Sequence, residues 1–62
     1  MLHEGDAVMI MTGKLTSFYG VIVTIFNYQS RKQQAMVETS DENNKEVYRR
    51  YNTENLIKWN ND

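Results

Sequence analysis

The chain contains no cysteine among its 62 residues and only one histidine, His3. The absence of thiols excludes a disulfide scaffold, a structural zinc site of the usual kind and a cysteine nucleophile. No carboxylate or hydroxyl neighbour forms a triad or a metal cluster with His3. We therefore expect no catalytic residues, no metal site, no cofactor and no enzymatic activity.

Long apolar runs are also missing. The longest, Val21 to Phe26, is interrupted by Thr24 and is far shorter than the roughly 20 residues that a membrane-spanning helix needs. No signal peptide precedes it. The sequence thus predicts a cytoplasmic protein with no membrane association.

Neither sign of charge is in large excess, because seven Lys and Arg residues against eight Asp and Glu residues give a net charge of -1. A nucleic-acid-binding domain of this size is usually basic, so the balance counts against nucleic acid unless the basic residues cluster. A hydrophobic content of 40% with 24% charged residues is typical of a folded domain. So short a chain supports one core of marginal stability, which leaves room for a partner or a homo-oligomer.

Short strands separated by turn-forming residues account for most of the sequence. Val8 and Ile10 alternate with Ala7 and Met9, which is the pattern of a strand with one buried face. The expected strands are DAVMIM, VIVTIF, QAMVET, EVYRRY and LIKW, with a 3₁₀ turn after Asn52 or Thr53 and a frayed end at residues 60–62. Five strands with one 3₁₀ turn before the last predict an all-β, partly open barrel.

The order of these features resembles the KOW motif of SH3-like barrels, found in ribosomal proteins and NusG-type factors. The matching positions are Gly5, Asp6, Val8, Ile10, Gly13, Lys14, Gly20, Ile22, Ile25, Val37 and Glu38. The resemblance implies a single SH3-like, KOW-like domain over residues 1–62. It also implies docking on RNA, on single-stranded nucleic acid or on a nucleic-acid-handling protein. The loop from Gly13 to Gly20 departs from the basic family pattern, because it holds one lysine and two aromatic residues, which suit base stacking and protein contacts equally.

A weaker resemblance points to the type II dihydrofolate reductases, which are five-stranded SH3-like barrels that assemble as tetramers. It is carried by Gly5-Asp6-Ala7-Val8, Thr12-Gly13, Val37-Glu38-Thr39 and the step from Tyr51 to Leu56. The family's catalytic strand corresponds here to Tyr48-Arg49-Arg50-Tyr51, and its pore lysine to Ile10. The resemblance therefore implies an oligomeric barrel as an alternative, without the catalytic strand.

Two basic doublets, Arg31-Lys32 and Arg49-Arg50, lie close to tyrosines in the sequence. An arginine beside an exposed tyrosine can bind a phosphate while the ring stacks on a base, but the same residues are also enriched at protein interfaces and can be simple solubilising charge. The predicted binding residues are Lys14, Phe18, Tyr19, Arg31, Lys32, Tyr48 and Arg50. The small size also suits a phage or mobile-element accessory protein that binds a host protein.

The alternation of the fourth strand, EVYRRY, leaves open which of its residues face the core. Because Arg49 and Arg50 are adjacent, one of them shares a face with buried residues unless the strand bends. The comparison with SH3-like closing turns predicts that Val47 and Tyr51 point inward and that Tyr48 and Arg50 point outward. Arg49 would then lie at an open end of the barrel or in a β-bulge, with its stem packed. We further expect Trp59 to cover one end of the barrel, or otherwise to be a surface anchor.

Overall fold

The computed structural model describes residues 1–59 of the chain. Its five strands are β1 (Ala7–Ile10), β2 (Tyr19–Phe26), β3 (Gln34–Ser40), β4 (Glu46–Asn52) and β5 (Leu56–Lys58). A 3₁₀ turn, Thr53–Asn55, separates β4 from β5. The predicted all-β architecture with a 3₁₀ turn before the last strand is confirmed. The prediction of a frayed end at residues 60–62 lies outside the described residues.

The strands form one antiparallel sheet in the order β4-β3-β2-β1-β5. The sheet is not closed, so β4 and β5 are its two edge strands. The pairing of β2 with β3 shifts by one residue between Ile22 and Thr24. This β-bulge inserts Val23, and the residues that follow it in β2 therefore face the opposite side from the one that simple alternation gives.

The hydrophobic core lies on one face of this sheet. Seven buried side chains form it: Val8, Ile10, Leu15, Ile22, Ala35, Val37 and Leu56. Alternate positions of β1 and β3 supply four of them, as the sequence pattern predicts. Leu15 comes instead from the loop before β2, which folds over the core.

Two turns use backbone conformations that their residues tolerate. Gly5 has φ of +91°, and Asp6 closes this turn by accepting a hydrogen bond of 2.8 Å from the backbone N–H of His3. In the β3–β4 hairpin, Asn44 has φ of +61°, and Oδ1 of Asp41 accepts bonds of 2.9 Å from two backbone N–H groups.

The phase of β4 agrees with the sequence prediction. Val47 and Tyr51 pack against the core, whereas Tyr48 and Arg50 are exposed on the other face. The β3–β4 register runs without interruption, so the suggestion that Arg49 lies in a bulge is wrong; the bulge is in β2. Arg49 instead lies opposite Val37 at the free edge of the sheet, where it remains exposed.

Trp59 does not cover the end of the barrel, contrary to the sequence prediction. Its backbone N–H donates to the carbonyl of Ala7, which continues the β5–β1 pairing in which Ile57 lies opposite Met9. Since side chains alternate along a strand, Trp59 and Ile57 share the face opposite Leu56, which is buried. Trp59 is therefore 47% exposed, on the side of the sheet away from the core.

Candidate functional site

The side of the sheet opposite the core, called here the outer face, carries the most unusual grouping of side chains. Phe26 and Tyr28 stack with their ring centroids 6.4 Å apart and their planes inclined by 14°. The guanidinium carbon Cζ of Arg50 lies 4.2 Å from the centroid of Phe26, and that of Arg31 lies 3.9 Å from the centroid of Tyr28. We call these four residues the arginine–aromatic ladder.

The strand register explains how distant residues meet in this ladder. Arg50 pairs with Met36, which pairs with Thr24, so Arg50 lies one position along the outer face from Phe26. Tyr28 follows Phe26 by two residues and lies on its same side. Arg31 reaches Tyr28 from the loop between β2 and β3. The fold thus brings one member of each basic doublet to a common aromatic pair.

The β-bulge in β2 is what turns Phe26 outward. Ile22 pairs with Val37 and is buried, so uninterrupted alternation would also direct Phe26 toward the core. The extra residue, Val23, reverses the phase, and Ile25 packs against the core in its place. The bulge therefore presents an aromatic ring to Arg50 at the outer face.

The two ladder arginines differ from the neighbouring lysine in their electrostatic partners. Within residues 1–59, neither Arg31 nor Arg50 lies within 4.0 Å of a carboxylate oxygen. Lys32, by contrast, donates a hydrogen bond of 2.9 Å to Oε2 of Glu54. Of the first doublet, Arg31 is therefore the cation whose charge is not compensated by an ion pair.

A second feature of the outer face is an apolar depression lined by Ala7, Tyr19 and Trp59, with a volume of about 360 Å³. The Tyr19 and Trp59 rings meet edge to face, with centroids 5.0 Å apart and planes at 69°. Ala7 lies between them in the sheet, and its methyl group is too small to fill the space. We call this depression the Trp59 slot.

Tyr48 and Glu38 occupy the part of the outer face nearest β4. The Tyr48 hydroxyl donates a hydrogen bond of 3.1 Å to Oε2 of Glu38, which lies opposite it in the β3–β4 pairing. This hydrogen bond and the charge of Glu38 raise the pKa of Tyr48 above its ordinary value. The pair places a negative charge on the outer face, two residues along β4 from the ladder residue Arg50 and opposite Val21 of β2.

The remaining predicted binding residues are spread over the surface. Lys14 is exposed in the loop before β2, and Tyr19 is exposed at the start of β2. Phe18 packs against the core, which leaves little of its ring available for a ligand. The predicted residues thus fall into a ladder group with Arg31 and Arg50, a slot group with Tyr19, and separate positions for the others.

The sequence reading missed Phe26 and Ala7 as surface components of these two features, and it gave Trp59 a surface position only as the alternative to covering the barrel end. The alternation of β1 contains the signal for Ala7, which faces away from Val8 and Ile10. The signal for Phe26 was absent, because the position of the bulge decides which way that ring points.

Metal binding, membrane crossing and similarity to known proteins were also considered for this chain. Within residues 1–59, no group of three or more His, Asp or Glu side chains is arranged to hold a metal ion. In the same part of the chain, no helix has the length and apolar character required to cross a membrane. No protein-family model, curated protein or solved structure compared with the chain matches it.

Proposed function

We propose that this protein is a small, non-catalytic binding module that holds single-stranded nucleic acid, RNA or DNA, on its outer face. We also propose that the chain is a KOW-like, SH3-like domain, as the resemblance of its sequence implies. The observation that carries the proposed function is the arginine–aromatic ladder, in which Arg31 and Arg50 stack on Tyr28 and Phe26.

The chemistry of the ladder suits a phosphate backbone. A guanidinium that stacks on a ring keeps the N–H groups at its edge available, and these can form paired hydrogen bonds with a phosphate. Stacking also holds the side chain in place before binding, so less conformational entropy is lost when the ligand arrives. Two such groups on one face can contact two phosphates of a single strand.

The distribution of charge supports a local binding site despite the net charge of -1. Arg31 lies in the loop at one end of β3, and Asp41 and Glu42 lie in the hairpin loop at its other end. The seven residues of β3 separate these ends by roughly 20 Å, at about 3.3 Å per residue. Because this distance exceeds the Debye length of about 8 Å at physiological salt, the acidic hairpin is largely screened from the ladder.

A titration of fluorescently labelled oligo(dT) and oligo(U), followed by anisotropy at several salt concentrations, tests the proposal. Each phosphate neutralised on a single strand contributes about 0.7 to the slope of log affinity against log salt. Two ladder arginines therefore predict a slope of about -1.4 or steeper. No binding at low salt, or binding that does not depend on salt, would overturn the proposal.

The two alternative functions, a module that binds a protein and a reductase-like oligomeric barrel, predict different experimental results. A protein partner, such as the host protein of a phage or mobile-element accessory factor, predicts complexes that survive nuclease treatment while oligonucleotides fail to bind. A reductase-like barrel predicts consumption of NADPH with dihydrofolate, and we expect none.

A further inference from the structure

We infer that the Trp59 slot is a second contact on the same strand, where one unpaired nucleobase stacks against the Tyr19–Trp59 pair above Ala7. This inference rests on the proposed function, since it takes the strand to be held by the ladder. It adds a site for the base to a ladder that engages the phosphates.

The shape of the slot favours a flat aromatic ligand. Its volume of about 360 Å³ falls within the range of small-molecule sites. The two rings that bound it are each about half exposed, Tyr19 at 52% and Trp59 at 47%. Exposed aromatic rings bind unpaired bases by stacking, because every base has a π face.

The position of the slot makes a base of the bound strand its most direct occupant. Tyr19 and Phe26 are the first and last residues of β2, so about 23 Å of one strand connects the slot to the ladder. A run of several nucleotides covers this distance, within the range of about 4 to 16 nucleotides that small single-strand-binding barrels occupy.

Strand β2 itself adds no negative charge to this path. Between Tyr19 and Phe26, strand β2 carries no acidic residue. Two carboxylates lie beside β2: Oε2 of Glu4 accepts a hydrogen bond of 3.4 Å from the backbone N–H of Ile25, and Glu38, which is hydrogen-bonded to Tyr48, lies opposite Val21.

Trp59 supplies its own reporter, because it is the only tryptophan in the chain. Titration with unlabelled oligo(dT) should quench the emission of Trp59, with the same midpoint as the anisotropy titration. Ala7→Leu should fill the slot and weaken binding by about 5-fold to 150-fold, the range for the loss of one base stacked on an aromatic ring. Oligonucleotides too short to span β2 should bind wild type and Ala7→Leu equally.

Ile57→Leu is the control, since it is an apolar change on the same face, on β5 and not on β2, and outside the slot lining. It should bind like wild type. If Ala7→Leu does not fold, Trp59→Ala measured by anisotropy provides the same test, with the same expected weakening.

The outcomes separate the two claims. Failure of wild type to bind any oligonucleotide overturns the proposed function. Salt-dependent binding with unchanged Trp59 emission, and with the slot variants binding like wild type, overturns the slot inference and leaves the ladder proposal intact.

Discussion

The hydroxyl of Tyr48 donates a hydrogen bond of 3.1 Å to Oε2 of Glu38, the residue directly opposite it in the β3–β4 pairing. The carboxylate prefers the neutral phenol as a donor and repels the phenolate, so it raises the pKa of Tyr48 above the ordinary value of 10.0. Both side chains lie at the surface, where the solvent remains the main influence on their energies.

This relationship predicts the alkaline behaviour of one tyrosine. The raised pKa means that the Tyr48–Glu38 contact contributes fully below pH 10 and is lost as the pH rises through the pKa of the folded state. Glu38→Gln should lower the pKa of Tyr48 toward its ordinary value. Titration of the Tyr48 ring Cζ resonance by NMR measures this, and equal midpoints in the two proteins would show that Glu38 has no such effect.

Close packing at Gly20 predicts a large loss of stability for a small substitution. A Cβ at this position would lie 2.5 Å from Cγ1 of Val37 and 2.6 Å from the backbone oxygen of Glu38. Gly20→Ala should therefore reduce the free energy of unfolding by about 1–3 kcal/mol, measured by urea denaturation. Gly13→Asn is the control, since Gly13 has a positive φ that asparagine tolerates and nothing lies within 4 Å of its Cβ position. Equal stability of the two variants would contradict the packing argument.

The ion pair between Lys32 and Glu54 should contribute little to folding. Its atoms approach to 2.9 Å, but the two side chains are 67% and 54% exposed. Solvent and salt screen such pairs, so Lys32→Ala should change the free energy of unfolding by less than about 1 kcal/mol. Thermal or urea denaturation checks this, and a larger loss would assign Lys32 a packing role that its exposure does not indicate.

Arg49 lies on β4, at a free edge of the sheet. Its Nη1 donates a hydrogen bond of 3.0 Å to the backbone carbonyl of Tyr48, and its charge lies on the core side of an edge strand. Charged residues in this position oppose edge-to-edge pairing of sheets. Arg49→Val should therefore shift the protein toward larger species in size-exclusion chromatography with light scattering, whereas Arg49→Lys should behave like wild type. Unchanged elution of Arg49→Val at all concentrations would contradict this role.

Much of the fold could be predicted from the sequence, because local patterns determine it. The alternation of Val8 and Ile10 specified the buried face of β1, and Ala35 with Val37 specified that of β3. The phase of β4 was not fixed by alternation and came from the resemblance to SH3-like closing turns, which places Tyr51 inward before the 3₁₀ turn. These elements depend on side-chain periodicity and turn chemistry, which a single sequence contains.

The candidate site was only partly predictable, because it depends on pairing between distant segments. The sequence identified both basic doublets but not that Arg31 and Arg50 meet across Phe26 and Tyr28. That meeting requires the β-bulge at Val23 and the register of three strands. Trp59 was misplaced for a related reason, since the pairing of β5 with β1 decides which face it joins.

The most direct test of the central claim compares two neighbouring arginines on opposite faces of β4. Arg50→Gln and Arg49→Gln remove the same charge, but only Arg50 belongs to the ladder. By anisotropy with labelled oligo(dT), Arg50→Gln should weaken binding and make the salt slope shallower by about 0.7, while Arg49→Gln should bind within about twofold of wild type. Equal weakening in both variants, or in neither, would contradict binding of single-stranded nucleic acid by the arginine–aromatic ladder.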